Sequence, residues 1–279
     1  MSPTAPTAPP TARAGEAPDV RAERICLACD GTPVLQDFDL EVARGEFTAI
    51  IGPNGFGKST LLRAWARLLK PVEGEVLLDG RDIHSQRTAE VARRLALLPQ
   101  QQRIPAGVTV TDLVARGRFA HQGLLRRWSP QDDAAVAEAL TQTRLRHVAD
   151  RPVDALSGGQ RQRVWIAVVL AQATPLLLLD EPTTYLDIAH QMDVLETVTA
   201  LHRQGRTVVA VLHDLAHAAR FATRVVAMRE GEIRAQGTPA EVFTPEVLQD
   251  VYGWPCHVMQ DPIHGTPLVI PLESGRAVG

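Results

Sequence analysis

Three short segments hold residues whose types and spacing can do chemistry on phosphate. The first, Gly52-Pro53-Asn54-Gly55-Phe56-Gly57-Lys58-Ser59, fits the pattern G-x-x-x-x-G-K-[ST] and is followed by Thr60. Glycines let backbone N–H groups wrap phosphate oxygens, and a helix beginning at the loop adds a positive partial charge. In such a loop the lysine, Lys58, reaches the β- and γ-phosphates of a nucleotide, and the hydroxyl of Ser59 suits Mg²⁺. The bland alternative is a Gly-rich turn. Against it, the chain has 29 Lys and Arg residues, of which only Lys58 and Lys70 are lysine, so a lysine retained at that position calls for a reason.

The second segment is Leu176 to Asp180 followed by Glu181, an apolar run that ends in two carboxylates. A parallel strand binds ligands at its C-terminal end. There Asp180 would hold Mg²⁺ through water and Glu181 would polarise an attacking water. The third is Leu156-Ser157-Gly158-Gly159-Gln160-Arg161-Gln162-Arg163. Ser157 with Gln160 three residues later is a capping box, and a capped helix start with two glycines behind it is also an anion site. One nucleotide does not need two such cradles on the same side, so Ser157 and Gly159 are expected to face the nucleotide of a second copy of the chain.

These segments need elements to position them. FTAII (Phe47 to Ile51) reads as a strand before the phosphate loop, and Leu61, Leu62, Trp65, Leu68 and Leu69 recur at helical spacing after it. GEVLLDG (Gly74 to Gly80) reads as a short strand in an antiparallel portion. Residues 107–171 read as an inserted helical subdomain, with an Ala-rich helix over Asp132 to Leu145 and another from Gly158. The apolar strands Leu176 to Asp180, Thr207 to Leu212 and Val225 to Met228 alternate with helices, which predicts a parallel sheet covered on both faces. The expected fold is α/β, with a mostly parallel core sheet, an N-terminal antiparallel portion and the helical insertion.

Length and charge exclude several classes. The 279 residues can bury a large core without disulfides, and a net charge of -3 is not the balance of a nucleic-acid binder. Cys26, Cys29 and Cys256 are too few and too odd in number for a disulfide scaffold. Residues 1–20 are rich in Pro, Ala and Thr and read as a disordered tail. The apolar stretch Val164 to Leu179 is interrupted by Gln172, Thr174 and Pro175 and is too short to span a membrane. Residues 251–279 read as a C-terminal extension with little periodicity, leaving 21–250 as the main domain.

Together the phosphate loop, LSGGQRQR, LLLLDEP and a later strand ending in His213 resemble the ATP-binding subunit of an ABC transporter, over roughly Arg21 to Phe243. The resemblance implies a P-loop NTPase that binds ATP and Mg²⁺. It implies that Gln100, after LALLP, touches Mg²⁺ and senses the membrane partner, that Thr184-Tyr185-Leu186-Asp187 is a dimer-facing loop, and that His213 lies near the γ-phosphate. It also implies catalytic roles for Glu181, His213 and Gln100, and a nucleotide site built from residues 52–60 of one copy with Ser157, Gly158, Gly159, Gln160 and Asp187 of another. The partners implied are a second copy packed head to tail, a membrane permease and, indirectly, an extracytoplasmic binding protein, with the chain peripheral on the cytoplasmic face of the membrane.

Narrower similarity, in PTTYLDI, VLHDL, GLLRRWSPQD, AQGTPAEVFTPEVL and DPIHGTPLVIP, is to iron-siderophore importer ATPases, a branch near the haem and vitamin B12 importers. An exporter ATPase ranks second and a soluble regulatory ATPase third. The family carries an aromatic residue on its first strand that stacks on adenine, and here that register holds Cys29. Arg126, Arg127 and Trp128 read equally as a solvated patch or as part of the permease-facing surface. His213 and His217 do not form a metal pair, because no third ligand is evident. Cys26 and Cys29, three apart on a strand, fall on opposite faces.

Overall fold

The computed structural model describes residues 19–29, 31–100, 107–122, 128–184 and 186–273. Residues 1–18 of the expected tail, the residues Arg126, Arg127 and Tyr185, and the last six residues lie outside these. Val20 opens the first strand and Asp19 is buried, so these two residues of the expected tail belong to the fold.

The core is a six-stranded sheet of β3 (Phe47–Ile51), β6 (Leu95–Leu98), β7 (Leu176–Asp180), β8 (Thr207–Val211), β9 (Arg224–Arg229) and β10 (Glu232–Gly237), in the order β10-β9-β3-β8-β7-β6. All pairings are parallel except β10 with β9. Every residue of β3, β7 and β8 is buried, which explains why their sequences are continuous rather than alternating apolar runs. Alternate residues of these strands serve different cores. Leu177 and Leu179 of β7, with Val208 and Ala210 of β8, pack toward the helical insertion; Leu176 and Leu178, with Val209 and Val211, pack toward the antiparallel sheet.

That second sheet contains β1 (Val20–Cys29), β2 (Thr32–Val42), β4 (Glu73–Leu78) and β5 (Arg81–Asp82), in the order β2-β1-β4-β5. Helices α1 (Lys58–Trp65) and α2 (Thr88–Arg94) precede β4 and β6. The two sheets are tied at a corner: the buried Asp19 accepts from Arg44 at 3.0 Å and from the hydroxyl of Thr207 in β8, while Asp79 accepts from both Arg44 and Arg94.

The insertion holds α3 (Val110–Ala115), α4 (Pro130–Gln142) and α5 (Gly158–Ala171). Its centre is an ion pair between Arg118 and Asp132 at 2.9 Å, with side chains 7% and 0% exposed. Arg118 also donates to the carbonyl of Ala171 at 2.8 Å, which ties the start of the insertion to the end of α5. Helices α6 (Ile188–Arg203), α7 (Leu215–Phe221), α8 (Pro239–Val242) and α9 (Pro245–Tyr252) come next, and the extension closes with the hairpin β11 (Cys256–Gln260) and β12 (Pro267–Pro271). The sequence reading assigned no strand to Leu95–Leu98 or to this hairpin. Among the described residues no helix is long and apolar enough to cross a membrane.

Parallel register aligns the strand ends. Ile50 and Asp180 both pair with Val211, and Leu98 pairs with Leu179. The C-terminal ends of four neighbouring strands therefore meet along one edge, delivering Gly52, Gln100, Glu181 and His213 to the same place.

Candidate functional site

The phosphate loop leaves β3 through Gly52, whose φ is 139°. A Cβ there would stand 2.0 Å from the carbonyl oxygen of Met228, so only glycine fits. At the other end Gly57 caps α1 with φ 90°, and a Cβ would meet the side chains of Leu35 and Val34 within 3 Å. Between these fixed ends Lys58 folds back, and its Nζ donates to the carbonyls of Gly52 at 2.8 Å and Pro53 at 2.6 Å. Burial lowers the pKa of Lys58, offset in part by the negative charges of Glu181 and Asp180.

Facing the loop, Asp180 ends β7 and its Oδ1 accepts from the Ser59 hydroxyl at 2.8 Å. Burial raises the pKa of Asp180, and the bond from Ser59 works against that rise. The next residue, Glu181, is held at φ 51° in the left-handed region. Its Oε1 lies 2.7 Å from Nε2 of His213, and its Oε2 accepts from the hydroxyl of Thr184 at 3.0 Å. Burial alone would raise the pKa of Glu181, but the bonds from His213, Thr184 and Gln100 and the charge of His213 together hold it below its ordinary value. The carboxylate is thus kept ionised.

These groups share one cleft of about 590 Å³, lined by Asn54, Gly55, Gly57, Lys58, Ser59, Thr60, Gln100, Glu181, Thr184 and His213, with Cys29 and Val34 on one side. Gly52 and Pro53 stand behind Lys58, and Phe56 is half-buried outside the lining. The donor set suits a nucleotide triphosphate with Mg²⁺: backbone N–H groups and an ammonium for the phosphates, and the hard oxygens of Ser59, Gln100 and Asp180 for the ion. Cys29 and Val34 offer a base only apolar contact.

Ser157, Gly158, Gly159, Gln160 and Asp187 do not reach this cleft. Ser157 caps α5, with its Oγ accepting from the N–H of Gln160 at 3.3 Å and its own N–H donating to Gln160 Oε1 at 3.1 Å. Asp187 caps α6 and is exposed. The sequence reading gave Ser157 two roles, and the cap uses one face of its hydroxyl while the residue remains exposed.

His217 lies in α7, where its N–H donates to Asp214, away from Glu181. Cys26 is half-buried beside Glu73, and Cys256 sits in β11. Among the described residues no group of three or more His, Cys, Asp or Glu could hold a metal ion. Sequence reasoning missed the bond from Thr184 to Glu181, although a hydroxyl three residues after a carboxylate in a turn is a usable signal. It also missed Tyr252, which has no local signal: burial pushes its hydroxyl up to about 12, partly offset by a bond from the backbone of Gly52.

The family described as ABC transporter matches residues 35–184. A ferric enterobactin transport ATP-binding protein of Escherichia coli strain K12 is 52% identical over 254 residues, covering 91% of this chain and 94% of that protein. An inward-facing putative metal-chelate type ABC transporter is similar in structure, with a TM-score of 0.78 at 27% identity, over 92% of this chain and 98% of the other. A bacterial ABC transporter cassette solved as a dimer has a TM-score of 0.70 at 29% identity, over 78% of this chain and 98% of its own. With its phosphate loop, paired carboxylates and strand order in place, the chain belongs to the ABC transporter family, as an ATP-binding and ATP-hydrolysing subunit.

Proposed function

We propose that this subunit powers import of ferric siderophore complexes across the cytoplasmic membrane. It would act as two copies packed head to tail beneath a membrane permease that receives cargo from an extracytoplasmic binding protein. The observation that carries the cargo is the 52% identity, over nearly the full length of both chains, to a ferric enterobactin transport ATP-binding protein. In support of a permease partner, an apolar groove of about 370 Å³ runs past Leu68, Val91 and Leu97, and Leu68 and Phe119 stand more than 60% exposed beside α2. Trp128, the one residue of the expected patch that is described, is 43% exposed.

In the chemical step Glu181 accepts a proton from the attacking water, and His213, 2.7 Å away, orients the carboxylate and meets the γ-phosphate. Lys58 and the loop N–H groups bind the β- and γ-phosphates. Mg²⁺, held by Ser59, Gln100 and Asp180, would neutralise charge that builds on those phosphates. Ser157 and Gly159 of the second copy close the site from the far side, with Asp187 at the seam. Support for this pairing is that each chain has one phosphate loop and one LSGGQ segment, and that the two lie apart within the chain.

The test is uptake of labelled ferric siderophore, haem and cobalamin by iron-starved cells carrying either the unchanged chain or Glu181→Gln. Loss of siderophore uptake alone supports the proposal. Siderophore uptake unaffected by the substitution, while the purified unchanged protein hydrolyses ATP, overturns the cargo and moves an exporter or another substrate to first place.

A further inference from the structure

Asp187 needs no ring to cap α6. Its Oδ1 accepts the backbone N–H of His190 at 2.9 Å, which is a complete N-cap. The same oxygen also lies 2.7 Å from Nδ1 of the His190 ring, whose side chain is 32% exposed while that of Asp187 is 67% exposed. This second contact turns the ring toward α5. Ring carbons of His190 lie 3.4 Å from where a Cβ on Gly159 would stand, so the imidazole covers the glycine at the first turn of α5.

Neighbouring contacts reinforce the link. Gln162 on α5 donates to the carbonyl of Pro182 at 3.0 Å, and Gln191 on α6 donates to the carbonyl of Leu186 at 3.0 Å. Thr184, within that same connection, holds Glu181. These contacts tie the residues after Glu181 to both α5 and α6, on the side where Gly159 and Asp187 lie outside the cleft.

We infer that His190 is a positioning residue that bridges Asp187 and Gly159, so that the N-cap of α6 and the first turn of α5 meet a second copy of this chain as one surface. The inference rests on the head-to-tail pairing proposed above. His190 does not line the nucleotide cleft, so its role shows in assembly and turnover rather than in the capture of ATP by a single chain.

The test uses the full chain, with Glu181→Gln as the background that retains ATP. Dimerisation with saturating ATP and Mg²⁺ is followed by sedimentation for Glu181→Gln alone and with His190→Ala or His190→Asn added. Steady-state ATPase, ATP binding and thermal midpoint are measured for the single substitutions at His190. The expected result is that His190→Ala weakens ATP-dependent dimerisation about 10-fold or more and lowers kcat, with ATP binding and thermal midpoint kept. His190→Asn, which can still donate to Asp187, should recover part of the loss. Equal dimerisation with and without His190, or a parallel fall of midpoint, binding and kcat, overturns the inference. Failure of Glu181→Gln alone to dimerise at high protein concentration overturns the pairing, and this inference with it.

Discussion

Lys58 is held inside its own loop, where its ammonium donates to the carbonyls of Gly52 and Pro53. Its removal takes away a charged partner of the phosphates, worth about 1.5–3 kcal/mol. Lys58→Ala is therefore expected to weaken ATP binding by about 10- to 100-fold in equilibrium titration. At the opposite wall, Cys29 gives the base no ring to stack on. Cys29→Tyr should tighten ATP binding by about 1–3 kcal/mol and change the ratio of ATP to GTP affinity. If both quantities stay as they are, the base does not lie against Cys29.

Among elements, the helical insertion holds the buried ion pair of Arg118 and Asp132. Asp132 is held down to about 2 by its bond from Ser129, with burial opposing and Arg118 adding to the fall. A depressed carboxylate contributes stability above its unfolded value near 4, and loses that contribution as pH falls toward 2. Asp132→Ala takes from the buried Arg118 its carboxylate partner, leaving the Ala171 carbonyl among the described residues, and should cost about 3 kcal/mol in urea unfolding at neutral pH. The pH-linked part of the loss should disappear near pH 2. Elements such as β3, β7 and β8 were legible because a buried parallel strand is a continuous apolar run, and the helix after Gly57 because Leu61, Leu62 and Trp65 repeat at helical spacing, although it ends at Trp65, short of the Leu68 and Leu69 that the pattern included. Leu95–Leu98 escaped because a four-residue edge strand has too little pattern to tell from the helix before it. The hairpin escaped because its residues are half-exposed and its pairing is set by a turn, not by periodicity. Residues in the cleft were legible where a motif fixes their spacing. Val34 reaches it only through strand pairing, and Tyr252, outside the lining, meets the backbone of Gly52 only through chain closure; local sequence encodes neither.

At the scale of the whole molecule, the cleft lacks its own Ser157 and Gly159, and the proposed head-to-tail pairing would make turnover a property of two chains. ATPase activity per chain should rise with protein concentration in the absence of other subunits, and a dilution series measures it; a flat profile would show that one chain suffices. The molecule also carries a standing cost at Glu181, whose left-handed backbone disfavours any residue with a Cβ by about 1–2 kcal/mol. A library varied at this position and sorted only by resistance to unfolding should enrich glycine. The same library sorted by iron-limited growth should return glutamate. That pair of outcomes would mean that the residue at this position is selected by what the protein does, against the pull of how well it folds.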